Sequence, residues 1–284
     1  METEHRWQDV HGRIGTNNSS GVYYTYYSDG AGANRLSQQA PGYKARLDVM
    51  ASSSRKVLVT LNFYAMPAPG KSASALDVQT AKDLLVDQVN AVWNQKKLKI
   101  VILVLDGHGR PNGVSRRLDV EFRIRWTASI GSADYALCVY PSPEDLPKAP
   151  PPRIDRPAFV MPAAGATSGR IEMHISGGSA AWIYSHEFGH CIGLPDEYSH
   201  PGVSYLKPGR DGLFLQRPGS AIPENRQGRV TAHGRDPDLR TEMSTHQTIS
   251  LLPRHLWPTA IEVRRLLNLH AKHAKYGVDV VFER

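Results

Sequence analysis

The chain has 284 residues, 40% of them hydrophobic and 21% charged, which is enough apolar material for one full core and excludes a disordered or collagen-like polypeptide. The formal net charge of +7 is spread over scattered Lys and Arg with no long basic run or aromatic-interleaved stripe, so it reads as solubility and not as a nucleic-acid surface. Two cysteines do not make a disulfide scaffold, and the longest apolar run, Ile100 to Leu105, is far too short to span a membrane.

The opening Met1-Glu2-Thr3-Glu4-His5-Arg6-Trp7 is polar and does not read as a signal peptide. The expectation is a chain made in the cytoplasm, with release by a specialised system, as an effector, the weaker alternative. Residues 1–45 are rich in Gly, Ser and Asn around Val22 to Tyr27 and read as an N-terminal arm; 46–284 reads as the working domain. Val57 to Tyr64 is a predicted strand. Ser74 opens a helix with Asp77 three residues on, a capping-box pattern, and Val78, Ala81, Leu85, Val89 and Val92 recur at helical spacing to about residue 94. Lys99 to Leu105 suits a buried strand, Leu118 to Trp126 alternates, and Tyr135 to Tyr140 is a further short strand. The proline-rich stretch from Pro141 to Pro157 predicts a surface loop, because proline lacks the backbone donor that helix and sheet require. Ile171, Met173 and Ile175 then alternate with Glu172 and His174 in a short strand that ends at Gly177-Gly178.

Next comes the segment that carries chemistry. His186-Glu187-Phe188-Gly189-His190-Cys191-Ile192-Gly193-Leu194-Pro195-Asp196 is a HExxHxxGxxD string. On a helix, residues four apart share a face, so His186 and His190 can reach one metal ion with Glu187 beside them. Ser179 is the candidate N-cap region, and Gly193 followed by Pro195 should end the helix and turn the chain back toward the metal with Asp196 as third ligand. Glu197, His200 and Glu262, the last on a predicted helix from about 258 to 275, are the other third ligands to weigh against Asp196. Two imidazoles and one carboxylate leave a position open on tetrahedral Zn2+, the mark of a catalytic site, and Glu187 is placed as general base. Cys138 and Cys191 read as core thiols, His255 as a packing residue, and 199–238 as a long loop over the cleft. Val278 to Phe282 reads as a last strand.

The string resembles the metzincin clan of zinc endopeptidases, and its Asp-ending form with Leu194-Pro195 before it resembles the snapalysin-type bacterial proteases. The resemblance implies an α/β (α+β) fold: a mixed twisted sheet with a covering helix, a zinc-site helix, and a C-terminal subdomain with a Met-turn and helix, divided into 46–193 and 194–284. It implies one catalytic zinc on His186, His190 and Asp196, a Met-turn at Met243, and a peptide or protein substrate held along an antiparallel edge strand made by Ile171, Met173 and His174. In place of the Tyr that some metzincins carry after the Met, this chain has Thr245. Tyr198, His200 and His246 are therefore candidates for stabilising the transition state, with Glu197 as a supporting carboxylate beside the metal. The resulting expectation is a zinc endopeptidase. The alternatives are a zinc amidase or toxin module acting on a non-protein amide, or a non-catalytic zinc-binding module.

Overall fold

The computed structural model describes residues 5–15, 24–27, 34–36, 43–147, 158–162, 170–194, 203–208, 213–215, 243, 251–271 and 274–283. In chain order the strands are β1 (Asp9–Ile14), β2 (Tyr24–Tyr27), β3 (Asn34–Leu36), β4 (Ala45–Met50) and β5 (Lys56–Pro67). Helix α1 (Ala75–Gln88) follows, then β6 (Leu98–Leu105), β7 (Pro111–Trp126), β8 (Tyr135–Tyr140), β9 (Ala158–Pro162) and β10 (Ile171–Ser176). Helix α2 (Ala181–Cys191), β11 (Val203–Pro208), β12 (Leu213–Leu215), α3 (Trp257–His270) and β13 (Lys275–Phe282) complete the described elements.

A nine-stranded mixed sheet organises the chain, with β13-β6-β7-β5-β8-β10-β9 as its main order. The pairs β7/β5, β5/β8 and β8/β10 are parallel, and this parallel centre is flanked by antiparallel β6 and β13 on one side and antiparallel β9 on the other. Strand β5 is long enough to serve two neighbours on one edge: Lys56 to Thr60 pair with β4, and Phe63 to Pro67 pair with β8. Its alternating burial puts Val57, Val59, Leu61 and Phe63 into the main core. Ala81, Leu85, Ile183 and Phe188 of the two helices meet the same core.

Helix α1 begins as the capping pattern predicts. Asp77 N–H donates to Ser74 Oγ at 3.1 Å and the Asp77 carboxylate accepts from Ser74 N–H at 2.7 Å. It then widens into a π-helical turn over Val89–Trp93. Asn94, just after that turn, exchanges two hydrogen bonds with the Phe122 backbone, as donor at 2.9 Å and acceptor at 2.7 Å, which pins the end of the helix to β7.

Residues 9–14, within the stretch read as an arm, form β1 against β4, with Ile14 buried. The expected last strand at Val278 to Phe282 is part of β13, which covers β6 in antiparallel register from Lys275↔Leu105 to Phe282↔Leu98. The segment expected as one long loop carries β11 and β12, which join β2 and β3 in a second, four-stranded sheet.

The edge-strand expectation for Ile171, Met173 and His174 is corrected. Strand β10 is hydrogen-bonded on both sides, parallel to β8 and antiparallel to β9, and Ile171, Met173, His174 and Ile175 are all buried. A strand with both ladders filled has no free N–H or C=O row to offer a peptide. Among the described residues the strand outside β10 is β9, which forms the edge on that side of the sheet.

Candidate metal centre

Helix α2 follows β10 after a tight turn, Gly177-Gly178-Ser179-Ala180. The N-cap is Ala180 and makes no side-chain cap, a correction to the expected cap at Ser179. Ser179 Oγ instead accepts the backbone N–H of Ser176 at 3.3 Å. The helix is anchored from beneath by apolar and hydrogen-bonding contacts together. Trp93, brought round by the π-helical turn, donates its indole N–H to the Ser185 carbonyl at 2.9 Å, and its ring lies among Phe122, Phe188 and His255. Tyr184 O–H donates to the Ser176 carbonyl at 2.9 Å, and Tyr135 O–H donates to the Cys191 carbonyl at 2.7 Å. These bonds occupy carbonyls at both ends of the segment that bears the motif.

His186, Glu187 and His190 lie together, with one ligand atom from each within 4.8 Å of the others. The two imidazoles stand 5.0 Å apart, nearly perpendicular at 89°. His186 and Glu187 are buried, and Trp182 meets the His186 ring edge-on at 6.2 Å. Helix α2 ends at Cys191 with Ile192 as its C-cap, and Gly193 follows with a φ of +88°, the left-handed conformation that glycine adopts without a Cβ clash. Leu194 N–H reaches the Gly189 carbonyl at 3.0 Å and Gly193 N–H reaches the His190 carbonyl at 3.1 Å, the paired bonds of a Schellman turn.

That turn also sets the chemistry of His190. It swings the Leu194 carbonyl back to 2.8 Å from His190 Nδ1. A carbonyl can only accept, so Nδ1 carries the hydrogen and Nε2 keeps its lone pair, the tautomer a metal ligand needs. The motif spacing does not itself name Leu194, although a Gly C-terminal to the second His is the signal that a backbone carbonyl will return there. The residues can therefore hold a metal ion at the imidazole end. Cys191, four residues beyond Glu187, is a buried thiol pushed well up by burial and by the Glu187 charge, and it stands outside the group formed by His186, Glu187 and His190. Neither cysteine is in a disulfide.

Met243 is buried against this helix from a distant part of the chain. A Cβ built on Gly189 would run into Met243 Sδ and stand 3.1 Å from its Cε and 3.2 Å from Trp93 Cζ2, so the absence of a side chain at 189 is what admits the thioether between Phe188 and His190. Glu262 is engaged by Arg265, 2.7 Å away on its own helix, and does not join the His186 group. His255 is buried, with Nδ1 accepting Leu252 N–H at 3.1 Å, and packs by Trp93. Asp196, Glu197, Tyr198, His200, Thr245 and His246 lie outside the described residues.

Among the described residues no helix is long and apolar enough to cross a membrane. Comparison with family models, with curated proteins and with solved structures finds no match to this chain.

Proposed function

We propose that the chain is a zinc-dependent endopeptidase of the metzincin type, with His186, His190 and Asp196 holding the ion and Glu187 as the acid and base. The observation that carries the reading is the His190 tautomer, fixed by the Leu194 carbonyl on a helix that also holds His186 and Glu187 within 4.8 Å. A helix that merely exposes two histidines has no need of that arrangement. Zinc held there supplies Lewis acidity, lowering the pKa of water from about 15.7 to about 7 and polarising a carbonyl.

The chain's own groups do the rest. Glu187 follows the first ligand directly and is buried, so its carboxylate accepts a proton from water and returns it to the leaving amine. Burial of His186 and Glu187 keeps bulk water from screening the charges that develop. Met243, lodged at Gly189, fixes the helix face from which both imidazoles project. For substrate, β9 supports a peptide over a small amide. It is an antiparallel edge next to the strand that leads into α2, and such an edge offers backbone groups to an extended chain.

Glu187→Gln keeps the shape and removes the base. Zinc stoichiometry by elemental analysis should stay at one at this site, while cleavage of a broad peptide library falls by about two to four orders of magnitude. Near-full turnover in Glu187→Gln would overturn the mechanism. Full turnover on small acyl amides with no cleavage of any peptide would replace the endopeptidase by an amidase.

A further inference from the structure

Strands β8 and β10 run parallel with Cys138 opposite His174 and Ala136 opposite Glu172. Side chains alternate across the sheet, so Leu137, Val139, Met173 and Ile175 enter the helix-covered core. Cys138 and Tyr140 lie in a separate cluster with Ala68, Ala136 and Leu146, on the face that Glu172 and His174 share. There the Cys138 sulfur, a Glu172 oxygen and a His174 ring nitrogen lie within 4.8 Å of one another. His174 Nε2 is 3.1 Å from Glu172 Oε2, and Nδ1 is 3.0 Å from the Tyr140 hydroxyl. Cys138 and His174 are buried.

Placing a histidine, a carboxylate and a thiol on one covered patch costs desolvation that apolar residues would not incur. Without an ion, burial, aided by Glu172, pushes the Cys138 thiol up to about 12, so it is no nucleophile at neutral pH. From this geometry we infer that Cys138, Glu172 and His174 form a second metal site, for a zinc-class divalent ion that ties β8 to β10. The donor set selects the metal. Thiolate and imidazole suit zinc and its neighbours, whereas magnesium and calcium need oxygen ligands.

Tyr140 completes the site. Without an ion, Nε2–H donates to the Glu172 carboxylate and Nδ1 accepts the Tyr140 O–H; a hydroxyl can also accept, so on binding it takes Nδ1–H and Nε2 turns its lone pair to the ion. Binding releases one proton, from the thiol; the imidazole proton moves from one ring nitrogen to the other and stays on the ring. Three protein ligands leave a fourth position for water. The inference does not rest on the catalytic reading, since none of the three residues belongs to the α2 group.

The test is cobalt titration of the full chain after chelation, followed by absorption spectroscopy. A thiolate bound to Co2+ gives a near-ultraviolet charge-transfer band, and the α2 site, built of imidazole and carboxylate, does not. The band should appear in the wild type, persist in the His186→Ala/His190→Ala double variant and in Cys191→Ala, and vanish in Cys138→Ser. Glu172→Gln should weaken cobalt binding at this site by at least about tenfold. Wild-type protein that takes up cobalt with no thiolate band, or that takes up none, overturns the second site whatever the variants do. A band that survives in Cys138→Ser, or one lost in Cys191→Ala alone, overturns it too. Loss of the band in the His186→Ala/His190→Ala variant, with the fold intact by circular dichroism, overturns its independence from α2.

Discussion

The contact between Gly189 and Met243 can be tested by a double-mutant cycle. Gly189→Ala alone gains about 1 kcal/mol of helix propensity but drives a methyl group into Met243 Sδ and to 3.2 Å from Trp93 Cζ2. Overpacking of this kind costs about 1–3 kcal/mol, so the net is a loss of about 0–2 kcal/mol. Met243→Ala alone should cost about 2–5 kcal/mol, because the thioether is fully buried. In the Met243→Ala background the sign of the first substitution reverses. The new methyl group then enters the vacated volume, and propensity plus about 0.8 kcal/mol of burial should stabilise the protein by about 1–2 kcal/mol. The coupling is the difference between the two backgrounds, on the order of 2 kcal/mol, within the range for residues in contact. Urea unfolding of the four proteins, with equal m-values as the condition for comparison, measures it. Gly189→Ala alone should also lower zinc affinity, since the displaced backbone lies next to His190. Additive free energies within about 0.5 kcal/mol would show that the two residues do not share the space, and the account of Met243 would fail.

Gly193→Ala forces an L-residue into φ +88° and should cost about 1–2 kcal/mol. If the turn opens, the Leu194 carbonyl leaves His190, and zinc dissociation measured with a chelator should speed up; unchanged dissociation would mean the carbonyl does not set the tautomer. For pH, the Lys56 ammonium holds the Glu121 carboxyl below its ordinary value of 4.5, with partial burial opposing and Arg123 assisting. A depressed carboxylate binds fewer protons in the folded state, so its stabilisation is present above about pH 4.5 and is lost as pH falls through the lower folded value. The urea-midpoint gap between wild type and Glu121→Gln should therefore close between about pH 6 and about pH 3; a gap that is constant or grows would refute the pairing of β5 with β7 through Lys56 and Glu121.

The parts of the fold legible in the sequence are those whose causes are local. Ser74 and Asp77 satisfy each other's backbone donors without help from the rest of the chain, and the start of α1 follows from four residues. The apolar run at β6 and the reversal at Gly193 are likewise short-range. Misreadings fall where the deciding partner is distant in sequence. Alternation of Ile171, Met173 and Ile175 with Glu172 and His174 reports two unlike faces, because side chains point above and below the sheet. Neighbouring strands attach at right angles to that direction, through backbone groups every residue has, so the pattern carries no information on whether a strand is an edge. That is why β10 read as an edge although β9 lies outside it. Nor does the alternation say what shares the side of Glu172 and His174; Cys138 and Tyr140, more than thirty residues earlier, lie beside them there. The alternation separated the two chemistries even so. The apolar side of β10 serves the core beneath α2, and its polar side supplies two of the three donors of the inferred second metal site.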